Sequence, residues 1–164
     1  MQITSALMLT LIAMLLHELG HLYAARQCNV SASEISLGLG RKLFGLDFRG
    51  VHVSLRSIPL GSFVRLDGTS LNRTSTGDQI GVHLGGIIFN LIAAGLFCGT
   101  LFGWINLLLA LGNLLPIYQH DGWKCAVVIV RALTRYSKSA EWAVTFSGGF
   151  VSFVIVWAII RAFI

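Results

Sequence analysis

The sequence predicts an all-α membrane bundle of four spans, with a small β-rich insertion after the first. Three observations carry this. The 164 residues are 55% hydrophobic and 12% charged, with a mean hydropathy of +0.76, whereas soluble domains average about 25% charged. The apolar residues gather into runs long enough to cross a bilayer. After the first run the pattern changes to short alternating stretches broken by glycine, which is how strands joined by turns read. The length suits one domain over residues 1–164.

The first span is residues 3–25, apolar except for His17, Glu18 and His21. Nothing basic precedes Arg26 and the stretch is longer than a signal-peptide core, so a retained helix is expected rather than a cleaved leader. Residues 30–67 hold the alternating runs "SEISLGLG", "KLFGLDF", "VHVSL" and "GSFVRL", expected as strands. A polar loop, "LDGTSLNRTSTGD", follows.

The run 82–118 has no acidic, lysine or arginine side chain. It is too long for one span and nearly right for two, 82–101 and 104–118, with a tight turn in "GLFCGTLFGW". As a helix the second covers roughly 22 Å of a hydrocarbon core about 30 Å thick. It therefore stops short, and Pro116 marks where. Residues 121–136 mix basic residues with "AVVIV" and are expected at the membrane surface; 142–163 is the last span.

A net charge of +5 could suggest nucleic acid, but the distribution argues for a membrane. Arg26, Arg41, Lys42, Arg49, Arg56, Arg65, Arg73, Lys124, Arg131, Arg135 and Lys138 lie in the loops 26–81 and 119–139, leaving Arg161 elsewhere. By the positive-inside tendency those loops face the cytoplasm and the termini face outward, in a multi-pass protein of the cell membrane. Cys28, Cys98 and Cys125 form no CxxC, so neither a disulfide framework nor a thiolate zinc site is expected.

The chemistry lies in "HELGH", residues 17–21. Residues four apart stack on one face of a helix, so His17 and His21 can reach one tetrahedral zinc. Glu18 is turned about 100° away and can serve as the base that deprotonates a zinc-polarised water. At this chain's His and Glu frequencies the pattern arises by chance roughly 0.003 times. A carboxylate inside a span costs about 2.5 kcal/mol or more and is functional by default.

A catalytic zinc needs a third protein ligand. His52, in an expected strand, and His83, at a span entrance, read as interfacial polar residues. "GNLLPIYQHDGW" supplies the better candidate, Asp121. By helical rise it lies roughly 25 Å from the outer face, against about 21 and 27 Å for His17 and His21. Its neighbour His120 is the alternative. Asn90, in "GGIIFN", falls near the same level, and a buried amide needs partners: another helix, or a substrate carbonyl. Gly85 and Gly86 let a backbone come close. In "RSIPLGSFVRL", Pro59 and Gly61 separate two extended runs, read as a hairpin turning at Leu60. Proline cannot donate to a ladder, so Pro59, Gly61, Phe63 and Val64 are expected to border an open edge that can hold an extended substrate.

With these residues in hand, the chain resembles the site-2 protease family of intramembrane zinc metalloproteases. His17-Glu18-Leu19-Gly20-His21 matches HExxH, Gly86 to Asn90 matches GxxxN, and Asn113, Pro116 and Asp121-Gly122 match NxxPxxxxDG, in the family's order. "RSIPLGSFVRL" looks like the family's membrane-associated hairpin. The resemblance implies zinc on His17, His21 and Asp121, with Glu18 as catalytic base. It implies a substrate-side set of Asn90, Asn113 and Gly86. The substrates it implies are transmembrane segments of membrane proteins or membrane peptides in the bilayer, cut in regulated proteolysis or clearance.

Three departures stand out. Only a turn is possible between the second and third spans, where many members carry a PDZ domain. His120 and Trp123 flank the DG pair, and Ser62 stands where a second glycine is frequent. The rival reading is a non-enzymatic metal-binding membrane protein, a carrier or an inactive relative. Such a protein would need no base beside its first histidine.

Overall fold

The computed structural model describes residues 2–48, 50–135 and 137–163; at residues 2, 3, 59, 60, 159 and 163 it describes backbone alone. The chain forms two compact units, Met1–Leu111 and Gly112–Ile164.

In the first unit, α1 (Gln2–Gln27) carries the histidines. It ends as Asn29 turns left-handed, at φ 54°, and the Val30 amide closes on the Ala25 carbonyl at 2.8 Å. Such a left-handed residue past the last turn satisfies carbonyls that a helix end leaves open. α2 is a single turn, Gly68–Asn72, capped by Asp67. α3 runs Thr76–Leu96 and begins six residues before the expected span. The reason is a serine N-cap. The Asp78 amide donates to Ser75 Oγ at 3.1 Å, and Ser75 Oγ donates back to the Asp78 carboxylate at 2.8 Å.

α1 and α3 cross in backbone contact at Gly20 and Gly85. A methyl on Gly20 would lie 2.3 Å from the Gly85 carbonyl oxygen, and one on Gly85 would lie 2.5 Å from that of Gly20. Small residues at a crossing are what allow this approach. Below it, Ala25, Val30 and Val82 form one buried cluster, and Leu22, Ile35 and Val51 tie α1 to the sheet.

The sheet is made of β1 (Ala32–Phe48) and β2 (Val51–Leu66), and each strand is long enough to occupy two lanes. Lane 42–48 pairs with 51–56; lane 34–37 pairs with 52–55 on one side and with 62–65 on the other. Gly38 and Gly40, at φ 87° and 83°, let β1 change lane, and Gly61, at φ 78°, lets β2 do so. The expected hairpin at Leu60 is therefore not a pair of neighbouring strands. The run after Gly61 pairs with lane 34–37, whereas the run before Pro59 pairs at Arg56 with Lys42 and at Ile58 with Leu39, and the two do not bond to each other. Glu34 staples three lanes, accepting from Ser54 Oγ at 3.1 Å and Arg56 at 3.2 Å, with Arg65 at 3.5 Å. Burial works against its carboxylate, but the bonds from Ser54 and Arg56 and the charges of Arg56 and Arg65 hold it below the usual range.

Three helices among the described residues are long and apolar enough to cross a membrane: Thr4–Gln27, Thr76–Leu96 and Lys138–Ala162. The expected span 104–118 is the shorter helix α4, Leu101–Leu114. Its helical rise gives about 21 Å, close to the roughly 22 Å expected of it, and among the described residues it is a shorter apolar helix beside the three of spanning length. Cys98, expected inside a span, sits exposed in the turn between α3 and α4, where Gly99 takes φ 78°.

The second unit holds the end of α4, then α5 (Asp121–Leu133) and α6 (Lys138–Phe163). Trp123 of α5 lies over Gly148 of α6, where a methyl would fall 2.6 Å from its ring, and Arg131 is paired with Glu141 at 2.9 Å.

Candidate active site

His17 and His21 stack on α1 as their spacing requires, both buried, their rings edge to face with centroids 4.7 Å apart. Their Nε2 atoms face each other at 3.1 Å. The outer nitrogens are engaged: His21 Nδ1 lies 2.8 Å from the Val82 carbonyl oxygen, and His17 Nδ1 lies 3.2 Å from Asn90 Oδ1. A carbonyl oxygen can only accept, so each Nδ1 carries the proton and each Nε2 presents a lone pair. Two lone pairs at this distance repel unless a cation lies between or beside them. Ring nitrogens fixed from behind by oxygen acceptors are the usual support of metal-binding histidines. The donor set thus fits zinc.

α3 forms the floor of this site. A methyl on Gly86 would lie 2.6 Å from His21 Nε2 and 2.7 Å from His17 Nε2. Gly86 therefore keeps space open at the metal-facing nitrogens, a more definite role than the substrate contact expected for it. Asn90 is fully buried one helical turn on. Its Oδ1 holds His17, and its Nδ2 has no hydrogen-bond partner among the described residues. It thus both bonds another helix and keeps a donor to spare.

Glu18 is buried beside the first histidine, and its Oε1 accepts from Ser62 Oγ at 2.6 Å. Of the expected edge residues, Phe63 and Val64 lie half-buried in lane 62–66, which has pairing partners on one side only among the described residues. Gly61 makes the lane change, and the Pro59 side chain lies outside the described residues.

In the second unit Asp121 opens α5 with 3% of its surface exposed, and Lys124 Nζ lies 2.9 Å from its Oδ1. His120 is the cap residue, and its Nδ1 donates to the Gly112 carbonyl at 2.8 Å, which ties the loop to the end of α4. Gly122 backs onto α4, since a methyl there would lie 2.0 Å from the Leu114 carbonyl oxygen. This gives the DG pair a physical reason. Asn113 is half-buried in the last turn of α4. His52 is paired with Asp47 at 2.6 Å on the sheet.

Sequence reasoning noted Ser62 only as a departure and passed over Lys124 and the Val82 carbonyl. The i,i+3 spacing of Asp121 and Lys124 was a usable signal. A backbone carbonyl facing His21 from α3 leaves no mark in composition or spacing.

The family model for peptidase family M50 matches residues 5–102. Among curated proteins, the chain is 33% identical over 96 residues to a candidate zinc metalloprotease of Clostridium acetobutylicum, covering 53% of this chain and 28% of that one. It is 41% identical over 78 residues to the metalloprotease MmpA of Caulobacter vibrioides, covering 47% and 19%. It is 34% identical over 107 residues to a candidate zinc metalloprotease of Helicobacter pylori, covering 57% and 30%. The chain thus spans under a third of the length of these relatives. The matched region carries HExxH, the four-lane sheet and GxxxN on a frame of apolar helices, and the chain belongs to peptidase family M50, the site-2 protease family of zinc metalloproteases.

Proposed function

We propose that the protein is an intramembrane zinc endopeptidase that cuts transmembrane segments of membrane proteins or membrane peptides within the bilayer. The observation that carries this reading is the pair of facing Nε2 atoms, each ring held from behind, with a buried carboxylate on the next residue. His17, His21 and Asp121 are the proposed zinc ligands. Bound there, zinc supplies Lewis acidity to the attacking water and to the scissile carbonyl. Glu18 takes the proton of that water and returns it to the leaving amine. Asn90 holds His17 through Oδ1 and offers its spare Nδ2 proton to the oxygen on which charge develops. Lane 62–66 supplies backbone groups along which an unwound substrate segment can pair.

The cytoplasmic loops are those holding eleven of the twelve basic residues, so the site opens toward the cytoplasm. The decisive test is Glu18→Gln in the purified chain with a transmembrane peptide. Zinc should stay at about one per chain while cleavage is lost. Cleavage at near wild-type rate would overturn the assignment of the base. Chelator-insensitive cleavage, or none by the wild type, would return the chain to the rival reading of a metal-binding membrane protein.

A further inference from the structure

We propose that Ser62 is a positioning residue for the Glu18 carboxylate. This rests on the peptidase reading above and goes beyond it by tying the base to the sheet edge. A glutamate on a helix has freely turning torsions out to its carboxylate, and a base 1 Å out of place loses much of its rate. Glu18 is 5% exposed, and its Oε1 receives the Ser62 hydroxyl at 2.6 Å across 44 residues of sequence. That is the length of a hydroxyl bond to a charged oxygen, the strong kind. It fixes the plane of the carboxylate and leaves Oε2 as the oxygen that meets water.

Ser62 is itself fixed. Its backbone pairs with Leu37, directly after the lane change at Gly61. The next residue, Phe63, lies under two guanidinium groups, those of Arg56 and Arg65, at 5.6 and 5.8 Å from the ring centre. Arg56 also donates to Ser36 Oγ at 2.7 Å in the neighbouring lane. The hydroxyl therefore stands on a braced strand, at the end of the lane with an open side. One strand sets both the place where an extended segment can pair and the direction in which the base points. A glycine at this position has no hydroxyl, so the arrangement belongs to this chain's own sequence.

The bland alternative is a bond that merely pins α1 to the sheet. The test uses the full chain in nanodiscs, with Ser62→Ala, Ser62→Thr and Glu18→Gln variants. With zinc and a transmembrane peptide, Ser62→Ala should lower kcat about tenfold or more, as expected for losing one bond to a charged group, with KM within about twofold. Ser62→Thr keeps the hydroxyl and should stay near wild type. Infrared spectra of zinc-free protein with carbon-13 glutamate give a readout independent of turnover. The Glu18 carboxylate band, assigned by its loss in Glu18→Gln, should shift in Ser62→Ala and not in Ser62→Thr. Ser62→Gly removes the same hydroxyl with no added volume and serves if the alanine variant does not fold. An unmoved band in both hydroxyl-free variants overturns the contact. An unchanged kcat, in a protein that Glu18→Gln inactivates, overturns the positioning role. Cleavage by Glu18→Gln itself would overturn the assignment of the base, and no chelator-sensitive cleavage by the wild type would sink the peptidase reading, while the band would still decide the Ser62 contact.

Discussion

Replacing Gly86 by alanine should empty the metal site while leaving the helices intact. The added methyl would lie 2.6 Å from His21 Nε2 and 2.7 Å from His17 Nε2 and Cε1. Comfortable approach of a carbon to such atoms is about 3.5 Å, so both metal-facing nitrogens are overrun by about 0.8 Å at once. The helix cannot yield easily, because one residue away Gly85 already touches the Gly20 backbone. The rings must turn instead, and turning them breaks the bonds to Val82 at 2.8 Å and Asn90 at 3.2 Å. Losing such supports costs about 10–100-fold in metal affinity. Gly81→Ala is the control. It lies on the same helix with nothing within 4 Å of the added carbon, so it should keep zinc and gain about 0.5–1 kcal/mol of helix stability. Zinc affinity is read by competition with a chromophoric chelator, and helix content by circular dichroism. Wild-type zinc affinity in a folded Gly86→Ala protein would refute this reasoning, as would equal loss in Gly81→Ala.

Asn90→Ala should lower kcat by about tenfold or more, through the lost donor, and weaken zinc by a smaller factor through His17. Asn90→Asp keeps the acceptor for His17 and should restore zinc but not turnover; equal turnover in the two variants and wild type would remove Asn90 from the chemistry. Because the folded Glu34 carboxyl titrates below its ordinary 4.5, its staple contributes fully above that pH and fades as pH falls through the lower folded value. Protection of the amides in lanes 34–37 and 52–55, taken relative to their intrinsic exchange rate at each pH, should therefore fall on acidification in wild type, and be low and flatter with pH in Glu34→Gln. An impermeant thiol reagent added outside intact cells should label exposed Cys98 and spare Cys28; the reverse pattern would invert the orientation.

The pairing of the two histidines was legible because it is local: four-residue spacing on one helix sets His17 against His21, and the adjacent position puts Glu18 beside them. The start of α3 was legible too, in the Ser75 to Asp78 spacing, but the hydropathy of the span drew the boundary to Val82 instead. The sheet was legible as strands and not as lanes. Alternation marks which residues are extended, but not that lane 34–37 would come between lanes 52–55 and 62–65. The Ser62 to Glu18 bond depends on that lane order, so no sequence window could contain it. Pro116 marked that α4 stops short, and it ends two residues earlier at Leu114; that Gly122 backs onto that end leaves no mark in spacing or hydropathy.

On the proposed reading, the braced edge would also act as a ruler. An extended segment laid along lane 62–66 advances about 3.3 Å per residue, with successive side chains pointing to opposite faces. One face of that segment would look toward the residues that support the sheet and the other away from them. Residue preferences in a substrate should therefore alternate with a period of two on the paired side of the cut, over about as many positions as the lane has partners to offer. They should lack the three-to-four-residue rhythm of the helix from which the segment came.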